Sequence, residues 1–221
     1  MKKYSITIAG NMGVGKSTLT QLLAEDFNWT PFFEAVDDNP FLADFFQDMN
    51  RWSFHSQVFF LSRRFRIHRE MAMYPGSVIQ DRSVYEDADI FVRNLYRLGK
   101  MSDREYQLYR DLYEEFVQML PKPDLVVYLK ASIPTLIARV QRRGRHYERY
   151  ISPLYLQQLN ELYNGWIEDY TLCPILTIDT DRIDFVRSAD DFGGIRDQIL
   201  AELDIERVLS QPALASTVVS P

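Results

Sequence analysis

The chain has 221 residues, 46% of them apolar, which suits one globular domain able to bury a core without disulfide staples. Its formal net charge of −6 argues against a nucleic-acid-binding surface, and the single cysteine, Cys173, excludes an intrachain disulfide. No run of about eighteen apolar residues occurs, and Met1-Lys2-Lys3 leads into a strand rather than an apolar signal core, so the expectation is a cytoplasmic protein with small-molecule partners and no membrane contact.

In chain order, strands and helices alternate, which predicts a parallel sheet covered on both faces. Tyr4, Ile6, Ile8 and Ala9 mark the first strand. It runs into Gly10-Asn11-Met12-Gly13-Val14-Gly15-Lys16-Ser17, the Gly-x-x-x-x-Gly-Lys-Ser pattern of a phosphate-binding loop, and residues 17–24 read as the following helix. The glycines admit positive φ and bring backbone N–H groups against phosphate oxygens, while the helix N-terminus adds its positive dipole end. Lys16 would reach the terminal phosphates and Ser17 would offer its hydroxyl to Mg²⁺. The expectation is therefore an α/β P-loop NTPase fold, a five-stranded parallel sheet flanked by helices, with nucleotide on residues 10–18, Thr18 included.

Residues 30–33 read as a short second strand ending at Glu34. Asp38-Asn39-Pro40 starts a helix to about residue 48, and residues 52–73 read as a long helix with Phe54, Val58, Leu61 and Phe65 at helical spacing, mostly core. A third strand, 77–80, ends in Asp81-Arg82-Ser83. Two long helices, about 85–98 and 102–120, run to the Pro121-Lys122-Pro123 turn. A fourth strand, 125–129, leads to a helix from 133 to about 142 and an arginine-rich stretch. Pro153 opens a helix to about 170, residues 175–178 make a fifth strand, and 195–203 a closing helix. One domain spans 1–204; the tail 205–221 lacks periodicity and reads as disordered from about Ser210.

In open parallel sheets ligands bind beyond the carboxyl ends of the strands. That rule selects the phosphate loop, Glu34, Asp81-Arg82 and the cluster Arg139, Arg142, Arg143 and Arg145. An acceptor hydroxyl needs a nearby base, Mg²⁺ needs Ser17 plus a carboxylate, and a transferring phosphoryl group needs positive charge in a dry site. Taken alone, an Asp-Arg pair is a surface ion pair and a basic helix end is solvated charge; their shared location makes them a phosphoryl-transfer site. Asp179 and Asp181 read as turn residues or contacts to the nucleotide's base side. The three histidines lack metal-ligand spacing, so no structural metal is expected.

Five stretches together resemble the deoxyribonucleoside kinase family, over about Lys3 to Ile199 and most closely its bacterial deoxyadenosine/deoxycytidine kinase branch. They are the phosphate loop, Glu34-Ala35-Val36-Asp37-Asp38-Asn39-Pro40-Phe41-Leu42, Arg51-Trp52-Ser53-Phe54-His55-Ser56-Gln57, Asp81-Arg82-Ser83-Val84-Tyr85-Glu86-Asp87 and Arg142-Arg143-Gly144-Arg145. The resemblance implies transfer of a phosphoryl group from ATP or another NTP, with Mg²⁺, to the 5′-hydroxyl of a deoxyribonucleoside. Glu34 takes the place of the proton-accepting carboxylate, Arg82 of the arginine that holds it, and Asp81 of the acid near Mg²⁺. Gln57 matches the amide that pairs with the nucleobase, Arg64 and Asp87 the pair at its exocyclic group, and Phe91 the stacked ring. Arg139, Arg143 and Arg145 match arginines of a lid, about 142–150, that closes on the donor phosphates. Glu148 matches the acid at the sugar 3′-hydroxyl; where a tyrosine usually joins it, this chain has Phe46. The family also implies a homodimer through helices 52–73 and 85–98.

The chemistry of the base-reading side chains bears on the substrate independently. A glutamine amide complements adenine and cytosine, and an ionised Asp87 accepts from an exocyclic amine but opposes the thymine carbonyl. Deoxyadenosine and deoxycytidine are first choices; deoxyguanosine stays open, because Gln57 could flip and Arg64 approach its O6. Two rivals remain: a nucleoside monophosphate kinase, whose acceptor phosphate Glu34 would repel, and a non-catalytic P-loop subunit, which predicts losses at Lys16, Glu34 or Asp81-Arg82 that are not seen.

Overall fold

The computed structural model describes residues 2–34, 38–145, 148 and 151–205. The strands β1 (Ser5–Gly10), β2 (Thr30–Phe32), β3 (Val78–Asp81), β4 (Leu125–Lys130) and β5 (Ile175–Asp179) form one parallel sheet in the order β2-β3-β1-β4-β5. Register sets Ile8 beside Asp81 and Gly10 beside Leu129. β4 shows why the centre of this sheet reads as an unbroken apolar run: Val126 and Tyr128 face one core, Leu125, Val127 and Leu129 the other.

The helices are α1 (Lys16–Phe27), α2 (Leu42–Gln47), α3 (Met49–Met73), α4 (Val84–Glu86), α5 (Arg93–Arg97), α6 (Asp103–Gln118), α7 (Ile133–Arg143), α8 (Pro153–Asp169) and α9 (Ala189–Glu202). Leu19 and Leu23 of α1, Leu136 of α7 and Ile195 and Ile199 of α9 cover one face of the sheet. On the other face lie Phe45 of α2, Leu61 of α3, Tyr109 of α6 and Leu159 and Tyr163 of α8. Among the described residues, no helix is long and apolar enough to cross a membrane.

Three helices differ from the sequence reading. The helix expected from Asp38 begins at Leu42, because the Asn39 side chain accepts from the Phe41 N–H and donates to Ser56, pinning a turn against α3. The expected single helix of 85–98 is interrupted by a π-helical stretch, Asp87–Val92, between α4 and α5. The residues assigned to core on α3 are there: Leu61 is buried, and Phe54, Val58 and Phe65, half-buried, pack against the same cluster. The closing helix starts at Ala189 instead of 195, capped by Ser188, and runs through Gly193-Gly194 despite their poor propensity. Residues 206–221, including the tail from about Ser210 where disorder was expected, lie outside the described residues, as do Ala35, Val36 and Asp37.

The chain turns to one side of β1 on leaving it and reaches β2; on leaving β3 it crosses to the opposite side and reaches β4. The carboxyl ends of β1 and β3 are therefore the switch point of the sheet, where a crevice must open. The phosphate loop follows β1 and Arg82 follows β3.

Candidate active site

Gly10, Gly13 and Gly15 all have positive φ, at 142°, 80° and 109°. At Gly13 the need is also steric, since a Cβ there would sit 2.7 Å from Val140 Cγ2. Lys16 is buried, with its ammonium donating to the carbonyls of Gly10 and Asn11 at 2.9 and 3.0 Å. That burial, with repulsion from Arg82, brings the Lys16 pKa down to about 7 against the pull of Asp81, Glu86 and Glu34. Asn11 uses its side chain structurally, donating to the Leu156 carbonyl and to Asn160. The Ser17 hydroxyl donates to Asp81 Oδ2 at 2.5 Å.

Beyond β2 and β3 lies a second group. Glu34 is gripped by two guanidiniums, Arg64 Nη2 on Oε1 at 2.5 Å and Arg82 Nε 3.6 Å from Oε2. Arg64 is itself 3% exposed; its Nε pairs with Asp87 Oδ2 and its Nη1 donates to the Arg82 carbonyl. One cation thus serves two carboxylates. Burial would raise the Glu34 carboxyl, but Arg64, Arg82 and Lys16 together hold it down at about 2. Burial, reinforced by the charge of Glu34, outweighs the pull of Arg64 and the weaker pull of Arg82 on Asp87, and its pKa rises to about 7. Arg82 has φ 66°, a left-handed conformation unusual for arginine, and its guanidinium lies 4.3 Å from the centre of the Phe91 ring.

Arg143 donates through Nε to Glu148 Oε2 at 3.1 Å and pairs through Nη2 with Oε1. Arg139, expected on the donor phosphates, donates to the carbonyl of Val14 and to both oxygens of Thr180. Asp181 accepts from the Ser132 N–H and so joins the end of β5 to the start of α7. Of the lid expected at about 142–150, residues 146, 147, 149 and 150 lie outside the described residues.

These groups line two cavities. One, of about 320 Å³, is bordered by Glu34, Phe46, Gln57, Asp81, Arg82, Asp87, Phe91 and Glu148. The other, of about 700 Å³, is bordered by Val14, Gly15, Thr18, Arg139, Arg142 and the stretch 181–186. Gly13, Lys16, Ser17, Arg143 and Arg145 border both.

A family model described as deoxynucleoside kinase matches residues 6–203. The chain belongs to the deoxynucleoside kinase family. It is 37% identical over 200 residues to a deoxyadenosine/deoxycytidine kinase of Bacillus subtilis, covering 90% of this chain and 92% of that one. It is 38% identical over 207 residues to a deoxyguanosine kinase of Lactobacillus johnsonii, with the same coverage. A solved deoxyadenosine kinase of M. mycoides, with dCMP and dCDP bound, superposes with a TM-score of 0.80 at 27% identity over 89% of this chain and 99% of that one. The same M. mycoides kinase has been solved with dATP, at a TM-score of 0.79.

This deoxynucleoside kinase gathers the residues that the sequence singled out around its two cavities, with Phe46 lining the smaller one and Arg139 of α7 bonded to the phosphate loop at Val14. Sequence reasoning gave no role to Glu86, which is fully buried and bonds to the phosphate loop. Its signal was present: Ser83-Val84-Tyr85-Glu86 has the spacing of a capping box, and the structure has one there. The π-helical stretch carrying Asp87 and Phe91 left no such signal; π turns recur at functional sites.

Proposed function

We propose that this kinase transfers the γ-phosphoryl group of ATP, or another NTP, to the 5′-hydroxyl of deoxyadenosine and deoxycytidine. The observation that carries the reading is the pair of cavities meeting at Lys16, Ser17 and Arg143: donor in the larger, nucleoside in the smaller, reacting oxygens at the junction. Glu34, ionised well below neutrality, accepts the hydroxyl proton, and Arg82 orients both the carboxylate and the hydroxyl. Lys16 and Arg143 neutralise charge on the transferring group, while Arg145 and Arg139 frame the donor. Gln57 pairs with the base, Asp87 accepts from its exocyclic amine, Phe91 stacks on it, and Glu148 receives the sugar 3′-hydroxyl alongside Phe46.

Mg²⁺ suits the chemistry of the junction. Asp81 Oδ1 is buried without a hydrogen-bond partner, and the Ser17 hydroxyl lies on the other oxygen of the same carboxylate. No cluster of three or more His, Cys, Asp or Glu side chains is placed for a metal among the described residues, so Ser17, Asp81 and donor oxygens would hold it. Bound there, the ion would screen phosphate charge.

The relatives include deoxyguanosine kinases, so the choice of base is the open part of the reading. The test is a panel of the four deoxynucleosides with labelled ATP. Deoxyadenosine and deoxycytidine should have the highest kcat/KM and thymidine the lowest; a preference for deoxyguanosine overturns the proposed substrates. The kinase should act in the cytoplasm as a homodimer joined through α3 and the 85–98 segment. A monomer in sedimentation would remove the dimer, and recovery with membranes the location.

A further inference from the structure

Glu86 is the most enclosed carboxylate among the described residues, at 0% exposure, and the reaction gives it no task. Four donors from three parts of the chain occupy its oxygens. Oε1 accepts from the Ser83 N–H at 2.8 Å and the Ser83 hydroxyl at 3.4 Å; Oε2 accepts from the Gly10 N–H at 3.1 Å and the Tyr163 hydroxyl at 2.8 Å. The Ser83 contacts belong to the capping box of α4, which needs only one oxygen. The other oxygen leaves the helix for the phosphate loop and α8.

The position of these bonds in the sheet gives them meaning. β1 and β3 run side by side up to Ile8 and Asp81, and the last backbone bond between them is from the Arg82 N–H to the Ile8 carbonyl. Beyond it the two chains diverge, one into the phosphate loop and one into the turn carrying Asp81 and the left-handed Arg82. The Gly10 N–H at the end of β1 and the Ser83 N–H just past β3 both end on the same carboxylate. Glu86 replaces the ladder where the sheet stops. Its charge also favours the ionised forms of Lys16, Arg82 and Arg64, none of which it touches.

We propose that Glu86 is a positioning residue for phosphoryl transfer, fixing the separation between the phosphate loop and the Asp81-Arg82 turn so that donor and acceptor meet in line. The proposal rests on the larger cavity holding the donor and the smaller one the nucleoside. Each substrate binds mainly on one side of this joint, so loosening the joint should spare binding and impair the step that needs both sides.

Glu86→Gln keeps the shape but presents one oxygen and one amine, so it cannot accept from both amides. Losing one such bond should lower kcat for deoxyadenosine by about tenfold to a hundredfold. The Kd values of ATP and of deoxyadenosine, each titrated alone by calorimetry, should stay within about threefold. Tyr163→Phe leaves both amide bonds in place and should lose thermal stability while keeping kcat within about threefold; Glu86→Asp, too short to span both amides, serves if Glu86→Gln does not fold. A variant of Glu86 that lowers Tm but retains kcat makes the residue purely structural and overturns the proposal. So does a loss of ATP affinity as large as the loss of kcat, which would mean that Glu86 shapes the donor site alone. Failure of the unmodified kinase to phosphorylate any deoxynucleoside would instead strike at the site assignment, independently of Glu86.

Discussion

At the scale of single residues, Glu34 and Asp87 share Arg64 yet shift in opposite directions, because Glu34 also pairs with Arg82 and feels Lys16, whereas the charge of Glu34 adds to the burial of Asp87. Glu34→Gln keeps size and one acceptor but removes the base, so kcat should fall by about 10²- to 10⁴-fold with nucleoside affinity retained. A fall of less than about tenfold at steady KM would relieve Glu34 of that role. Above about pH 7, where Asp87 is ionised, the Arg64-Asp87 pair should exclude thymidine, whose O4 would face a carboxylate. Removing Asp87 alone would strand a buried cation, so the informative variant is Arg64→Met with Asp87→Ala. Arg64 also steadies Glu34, so turnover should fall for every base while the thymidine to deoxycytidine ratio of kcat/KM rises, by roughly ten- to a hundredfold. An unchanged ratio would mean that these two side chains do not read the base.

At the scale of elements, glycine has opposite consequences in the loop and in α9. Gly13 has positive φ and Val140 against the position of a Cβ, so Gly13→Ala should damage donor binding and stability together. Gly193 and Gly194 sit inside α9, and the nearest atom to a Cβ at Gly193 is 3.9 Å away, with nothing within 4 Å at Gly194. Alanine at either should stabilise the kinase by about 0.5–1 kcal/mol through the unfolded chain, with activity unchanged. Thermal melts check it: a lower Tm for Gly194→Ala would mean that the glycine pair has a role other than helix entropy.

At the scale of the whole molecule, stability should carry the imprint of the site's charges. The folded-state pKa of Glu34 is depressed to about 2, so its contribution is fully present above its unfolded value and is lost as pH falls toward 2. The Tm should therefore drop between about pH 4.5 and 2. Glu34→Gln should flatten part of that drop; a parallel profile for the variant would assign the acid loss to other carboxylates. The charges around Glu34 are thus also part of what holds the ends of β2 and β3 to α3.

The phosphate loop, the strand-helix alternation and the line of side chains beyond the strand ends were all legible in the sequence, because each is set by local spacing: four residues between glycines, short apolar runs for strands, a motif at a strand end. Glu34, Asp81 and Arg82 were named from their positions and Gln57, Arg64 and Asp87 from the family resemblance; all but Arg64 border one cavity, and Arg64 pairs with Glu34 at its wall. Contacts between segments far apart in the chain were legible only where the family resemblance supplied them, as for Arg82 on Glu34 and Arg64 with Asp87. Nothing local announces that Arg64 bridges Glu34 and Asp87, thirty residues one way and twenty-three the other. Nor does it announce that the second oxygen of a helix-capping Glu86 reaches back to Gly10. Residue type and spacing determine which chemistry the chain can hold; which charges share a partner depends on where the strands end, and only the packed sheet decides that.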